Sequence, residues 1–251
     1  MRHSQRGART LWLGILALLV AGCVPTPTTA RADRASVHTD AAVSSPVVTV
    51  AADVPVVRAS SLERIARHMT VRVRSRGCGR VGTASAVAVG RRLLVTNRHV
   101  VAGADRIELN YWDGTSARAR LKTVAVGDDL ALVKVSLRLP TVAHLATTDA
   151  PEGASTMIVG FPKGGEQRIV RGKLIEYAPL AGQPDASVVM RLSNTVVPGN
   201  SGGPVLNASG AVVGVVFGIE TATGNGLAVP SSAVRRLMKH RDAGGRAPSC
   251  P

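Results

Sequence analysis

An all-β body closed by a short C-terminal helix is the fold this sequence predicts, and three observations carry that prediction. Apolar residues make up 45% of the chain but aromatics only 2%, so the core must be built from Val, Leu, Ile and Ala, side chains suited to the half-buried pleats of sheets. Short apolar or alternating runs succeed one another from Thr70 to residue 229, many bounded by Gly, Pro, Asp or Asn. After Pro230 the spacing changes to that of a helix, with Val234, Leu237 and Met238 on one face and basic residues toward its end. Many short strands followed by one terminal helix suggest two packed antiparallel barrels.

The elements can be justified in order. Arg2, Arg6 and Arg9 precede an apolar run from Leu11 to Ala21 that leads into Val20-Ala21-Gly22-Cys23. This reads as an export signal over residues 1–22, and the run is too short to serve comfortably as a permanent membrane span. Small residues directly before Cys23 resemble a bacterial lipobox, in which the cysteine is acylated and becomes the first mature residue; ordinary cleavage beside an incidental cysteine is the alternative. Residues 23–59 are rich in Ala, Thr, Ser, Pro and Val without helical period and read as a tether to the envelope, followed by a folded domain over 60–251. Ser60 and Glu63 have capping-box spacing, and Leu62, Ile65 and Met69 mark one face of a short helix. Thr70 to Arg74 alternates like a strand with one wet face. Further strands are expected near 83–89, 92–96, 106–112, 117–126, 130–136, 155–160, 168–177, 186–192, 203–206, 211–217 and 226–229, with Asp113-Gly114 as a hairpin turn. No repeat of fixed period is visible.

Charge and cysteines narrow the setting. Of a formal net charge of +15, three arginines and no acids lie in the leader, which leaves +12 on the mature chain. Outside the cytoplasm the available polyanions are lipid head groups and wall polymers, so a basic surface would hold the protein near the envelope; solvated surface charge with no binding role is an equal alternative. Nucleic acid is not expected as a partner, because the basic residues are scattered along the sequence and no aromatic stacking platform accompanies them. With Cys23 set aside, Cys78 and Cys250 remain as an even pair in an oxidising compartment. A disulfide between them would contribute at most about 5 kcal/mol by chain entropy; two separate thiols are the alternative.

Three stretches carry chemistry. Gly199-Asn200-Ser201-Gly202-Gly203-Pro204 places a serine in a glycine-rich turn, where Gly199 permits backbone angles that let its N–H and that of Ser201 converge as an oxyanion hole. Thr96-Asn97-Arg98-His99 puts a histidine just past an apolar strand, suited to a rigid general base; His38, His68, His144 and His240 lack such a context. Asp128-Asp129-Leu130-Ala131-Leu132-Val133 sets a carboxylate at the head of a buried strand, where it could orient the imidazole. Asp128 is the competing carboxylate, and Asp129 is preferred because it abuts the apolar strand. His99, Asp129 and Ser201 are therefore the expected catalytic triad.

The order His, Asp, Ser, with gaps of 30 and 72 residues, resembles the chymotrypsin-like serine proteases. The likeness is greatest to the bacterial Deg/HtrA branch and to the membrane-anchored acid-resistance proteases of actinobacteria, and it rests on TNRHVVAGA, DDLALVKV, GFPKG at 160–164 and GNSGGPVLNASGAVVGV. The resemblance implies two six-stranded barrels with the triad between them, a Gly199/Ser201 oxyanion hole, hydrolysis of protein or peptide substrates through an acyl-enzyme, and no metal or organic cofactor. Deg relatives usually carry a PDZ domain after the protease and the actinobacterial enzymes have several transmembrane helices; neither is expected here. Asn200 stands where zymogen-activated relatives have an aspartate, so activation by that ion pair is not expected either. Aligned on Ser201, the floor of the primary pocket falls near Thr195 and its walls near Val215, Val216 and Phe217, with Gly226 opposite. No acid is among them, which favours small or medium apolar residues on the acyl side of the cleaved bond.

Overall fold

Alternation of buried and exposed residues begins as soon as the first helix ends, and it dictates the architecture. A computed structural model describes residues 59–125, 128–180 and 188–241; the expected leader, Cys23, residues 24–58 of the expected tether and Cys250 lie outside them. Helix α1 (Ala59–Met69) is followed by strands β1 (Thr70–Gly77), β2 (Arg80–Gly90), β3 (Leu93–Thr96), β4 (Arg106–Asn110), β5 (Ser116–Val124) and β6 (Ala131–Val135), with a single helical turn, α2 (Arg98–Val101), after β3. These strands close into an antiparallel barrel in the order β1-β2-β3-β6-β5-β4. Strands β7 (Ser155–Gly160), β8 (Arg168–Ala178), β9 (Val189–Thr195), β10 (Pro204–Leu206), β11 (Val212–Ile219) and β12 (Asn225–Pro230) close a second barrel in the order β10-β11-β12-β9-β8-β7. Read from β7, this is the same winding as the first barrel. Helix α3 (Ser231–Lys239) ends the described fold.

The expected double barrel is therefore present, with its strands within a few residues of the expected positions. Closure leaves no unpaired sheet edge to recruit another chain. Each barrel is filled by aliphatic side chains. Val71, Val73, Leu94, Val95, Leu109, Leu132 and Val133 are essentially inaccessible in the first, and Ile158, Leu174, Met190, Leu192 and Val205 in the second. Each such residue contributes about 1.5–3 kcal/mol of burial, and truncating Leu132 to Ala would cost about 2–5 kcal/mol. Sequence reasoning missed α2, which is a single turn and too short to leave a periodic signal. It also assigned Glu63 to a capping box, whereas the Glu63 carboxylate pairs with Arg171 of β8 and ties α1 to the second barrel. The Asp113-Gly114 turn forms as expected: Gly114 takes a φ of +83°, and the Thr115 amide donates to Asp113 Oδ1 at 2.9 Å.

Both barrels are held to one another near Ser85 of β2. Its amide donates to the Ser201 carbonyl at 2.8 Å and its hydroxyl to the Gly199 carbonyl at 2.8 Å, while its own carbonyl accepts from Thr96 Oγ1 at 2.8 Å. Helix α3 also reaches both halves. Ser231 Oγ donates to Asp149 at 3.1 Å, and Arg236 Nη2 lies 3.4 Å from Asp128 Oδ2.

Candidate active site

The polypeptide places the three expected residues at ends of strands, where a rigid scaffold presents side chains to a cleft. Thr96 at the end of β3 pairs with Ala131 at the head of β6. That register brings the turn carrying His99 beside the residues just before β6, and it does so through backbone pairing alone. His99 Nδ1 lies 2.5 Å from Asp129 Oδ2, and the His99 amide donates to Asp129 Oδ1 at 3.0 Å. An ionised carboxylate only accepts, so Nδ1 carries the proton and Nε2 faces outward as a base. Asn97, fully buried, donates from Nδ2 to the Asp129 carbonyl at 2.8 Å and fixes the backbone that bears the carboxylate. Asp128 does not compete: its carboxylate turns to Arg236 of α3.

Electrostatics favour an ionised Asp129. Burial pushes its carboxyl up, but the hydrogen bonds from the His99 ring and amide, with the charges of His99 and Arg98, outweigh that and hold it below its ordinary value. The histidine itself is half exposed, so its free nitrogen is open to the cleft.

Ser201 sits in the turn before β10. The chain Ser201–Ser85–Thr96 of backbone and side-chain bonds described above anchors this turn to the strand end that leads into His99. The serine hydroxyl is 3.4 Å from the Phe217 carbonyl, and a turn about χ1 is all that separates this rotamer from others. Hydrogen bonding around the turn is unevenly distributed. The Asn200 amide donates to the Val197 carbonyl at 3.1 Å, the Gly202 amide to Val216 at 2.7 Å and the Gly203 amide to Asn200 at 2.9 Å. Among the described residues the amides of Gly199 and Ser201 alone in this turn have no acceptor. The Pro198 carbonyl accepts from the Lys163 amide at 2.7 Å. Because the peptide is trans, this contact turns the Gly199 N–H away from the Lys163 amide.

Sequence reasoning treated GFPKG only as a resemblance; the structure gives it a task. Gly199, at a φ of +102°, is packed so closely that a Cβ there would lie 2.2 Å from the Phe161 carbonyl oxygen and 2.7 Å from the Lys163 nitrogen. Lys163 itself holds a φ of +53°, rare for a residue with a side chain. Arg72 of β1 braces this loop from the first barrel, donating from Nη1 to the Gly164 carbonyl at 3.1 Å and stacking 5.8 Å from the Phe161 ring centre. Gln167 adds bonds from Nε2 to the carbonyls of Arg67 and Thr70.

Beside Ser201 lies a cavity of about 240 Å³ lined by Val196, Val197, Pro198, Ser201, Val216, Gly218 and Ile219. Val216 lines the cavity, but Val215 is buried in the barrel interior, Thr195 is exposed at the end of β9, and Phe217 contributes its carbonyl beside Ser201. Gly226 stands behind Val196, 3.3 Å from its Cγ1 if given a Cβ. β11 carries a bulge at Val216/Gly218, and β9 carries extra residues opposite Asn225/Gly226. Apolar lining without an acid remains. Asn200 is 1% exposed, and neither amide atom of its side chain has a partner among the described residues. No group of metal-ligating side chains occurs among the described residues.

Two six-stranded barrels with a histidine–carboxylate pair and a glycine-cradled serine between them define the architecture of a chymotrypsin-like protein. The chain belongs to the trypsin-like peptidase domain family, whose model matches residues 82–215. It is 31% identical over 163 residues to the serine protease Do-like HtrA of Bacillus subtilis, covering 60% of this chain and 36% of that one. To the serine protease MT3772 of Mycobacterium tuberculosis it is 27% identical over 183 residues, covering 69% and 46%. The chain thus spans less than half the length of these curated relatives. Among solved structures, the active form of the Mycobacterium tuberculosis protease Rv3671c superposes with a TM-score of 0.69 at 23% identity, over 75% of this chain and 88% of that one. The HtrA-type protease AlgW with a tripeptide superposes at 0.68 and 25% identity, over 73% and 63%.

Proposed function

We propose that this protein is an exported, lipid-anchored serine endopeptidase that hydrolyses peptide bonds of envelope or extracellular proteins through an acyl-enzyme. The observation that carries the reading is the His99–Asp129 contact at 2.5 Å combined with two unengaged amides flanking Ser201. In the proposed reaction Ser201 Oγ attacks the scissile carbonyl while His99 Nε2 takes its proton, and Asp129 stabilises the imidazolium that results. The Gly199 and Ser201 amides receive the oxyanion, a role in which a single donor supplies about 2.7–4 kcal/mol. His99 then returns the proton to the leaving amine, and water repeats the sequence to release the acid and restore Ser201. No metal or organic cofactor takes part in these steps.

The apolar cavity beside Ser201 supports a preference for small or medium apolar residues on the acyl side. Acylation at Cys23 would tether the domain through residues 23–59, and its basic surface would add attraction to anionic envelope polymers. Cys78 is exposed at the tip of the β1–β2 hairpin, and we assign Cys250 as its disulfide partner. Fluorophosphonate labelling tests the hydrolytic reading. Covalent modification of the wild type that vanishes in Ser201→Ala is expected; an unlabelled wild type across a range of pH and redox conditions would leave a binding module with a protease fold.

A further inference from the structure

The basic residues look scattered along the sequence, but the first barrel gathers them. Strands β1, β4, β5 and β6 are neighbours, and their outward positions fall in register: Arg76 pairs with Arg106, Arg120 pairs with Lys134, and continuing the β4–β5 register from Ile107–Ala119 brings Arg106 opposite Arg120. Four cations thus cross four adjacent strands in one row, over three strand spacings or about 14 Å. A parallel row, Arg74–Glu108–Arg118, runs beside it. Between β4, β5, β6 and the start of β3 the surface is concave, with a cavity of about 650 Å³ lined by Arg92, Asp105, Arg106, Arg118, Arg120 and Lys134.

Charge here is not neutralised internally. Arg106 pairs with Glu108 at 2.5 Å, but Arg92, Arg118, Arg120 and Lys134 have no acidic partner among the described residues. Like charges directly opposite on neighbouring strands oppose sheet formation, so nothing in the stability of the barrel calls for this arrangement. Arginine outnumbers lysine in the lining, and its planar fork matches phosphate oxygens in pairs. A groove with charges in file also suits a chain better than a flat surface. Lys134 is the fourth residue of β6, about 10 Å along the strand from Ala131 at its head, the end that carries Asp129, so an occupied groove leaves the catalytic cleft open.

We propose that this groove is a binding site for a linear phosphate-bearing polyanion that lies across β1, β4, β5 and β6. It narrows the envelope-retention part of the reading above to one surface and one ligand class, and it does not depend on the hydrolytic chemistry.

The test uses the full chain with Cys23→Ser, to remove acylation, and Ser201→Ala, to prevent self-cleavage. Binding of labelled short-chain polyphosphate is followed by anisotropy between about 50 and 200 mM salt, where affinity should fall steeply as counterions are released. Replacing Arg118, Arg120 and Lys134 together by Thr should weaken binding at least about tenfold, and removing three charges elsewhere (Arg64→Gln, Lys173→Thr, Lys239→Gln) should change it less than about twofold. No binding by the parent, or equal losses from both triple variants, overturns the proposal. So does binding to phosphatidylglycerol vesicles that requires the same three residues and resists competition by polyphosphate, which would assign the groove to a lipid surface. Fluorophosphonate labelling of the Thr triple variant with Ser201 restored should match the wild type, so failure of groove and failure of catalytic reading are read separately.

Discussion

Replacing Gly199 by alanine tests the link between backbone geometry and catalysis most sharply. The new Cβ would lie 2.2 Å from the Phe161 carbonyl oxygen and 2.7 Å from the Lys163 nitrogen. Both are main-chain atoms that cannot swing aside. Either the Phe161–Gly164 loop retreats or the Pro198–Gly199 peptide rotates, and both movements break the 2.7 Å bond from the Lys163 amide to the Pro198 carbonyl. The Gly199 N–H then changes direction, which would remove it as a donor to the oxyanion. Loss of one such donor is worth about 2.7–4 kcal/mol, a fall of about 10²–10³ in kcat. The unfavourable φ adds about 1–2 kcal/mol of destabilisation. Gly153→Ala is the control, because Gly153 also has a positive φ (+78°) but a Cβ there meets nothing within 4 Å. It should lower the melting temperature by a few degrees and leave kcat untouched. Kinetics on an apolar peptide substrate and thermal melts of both variants decide the matter. A Gly199→Ala enzyme within about threefold of wild-type kcat would refute the claim that this turn supplies the oxyanion donors.

Other consequences are open to simpler measurements. Arg72→Met removes the Nη1 bond to the Gly164 carbonyl and the cation over Phe161; kcat should fall about tenfold with KM little changed, since a charged hydrogen bond contributes about 1.5–3 kcal/mol, and equal effects on both constants would show that Arg72 serves general stability instead. Asp129 has a depressed carboxyl, so its contribution to stability is complete above its ordinary value of 3.8 and is lost as pH falls through the lower folded value. The melting-temperature gap between wild type and Asp129→Asn should accordingly hold at neutral pH and close below about pH 4; a gap that widens in acid would reverse the sign. Tyr111→Phe should leave stability unchanged or raise it by up to about 1 kcal/mol, because the Tyr111 hydroxyl is buried without a partner among the described residues, and a loss of more than that would point to a bridging water.

Strand positions were legible partly through two-residue alternation, as in Val71, Val73 and Ser75 inward against Arg72, Arg74 and Arg76 outward, and partly through short apolar runs that are buried throughout, as at Val212–Val216. The chemistry-bearing residues were legible for a different reason: each sits beside glycines or an apolar strand end, and those contexts survive in one dimension. What could not be read depends on register. The lining of the cavity beside Ser201 depends on irregular pairing in β11 and β9, which does not show in one dimension. The common winding of the two barrels has no sequence period, since it resides in pairing order rather than in residue identity. Arg72 gave no signal because its partners, Phe161 and Gly164, lie in the other barrel. Glu63 misled because its spacing to Ser60 is local, while the interaction that forms is with Arg171 across the molecule. The basic groove was invisible for the same reason, being assembled from four strands.

Whether residues 99 and 201 act as one chemical unit is best settled by a double-mutant cycle in kcat/KM with Ser201→Ala, His99→Ala and the pair. If the serine is activated only through the histidine, each single change removes the same step, and the double variant should be scarcely slower than either. Losses that multiply in the double variant, or a His99→Ala enzyme that keeps most of its rate, would contradict the catalytic assignment.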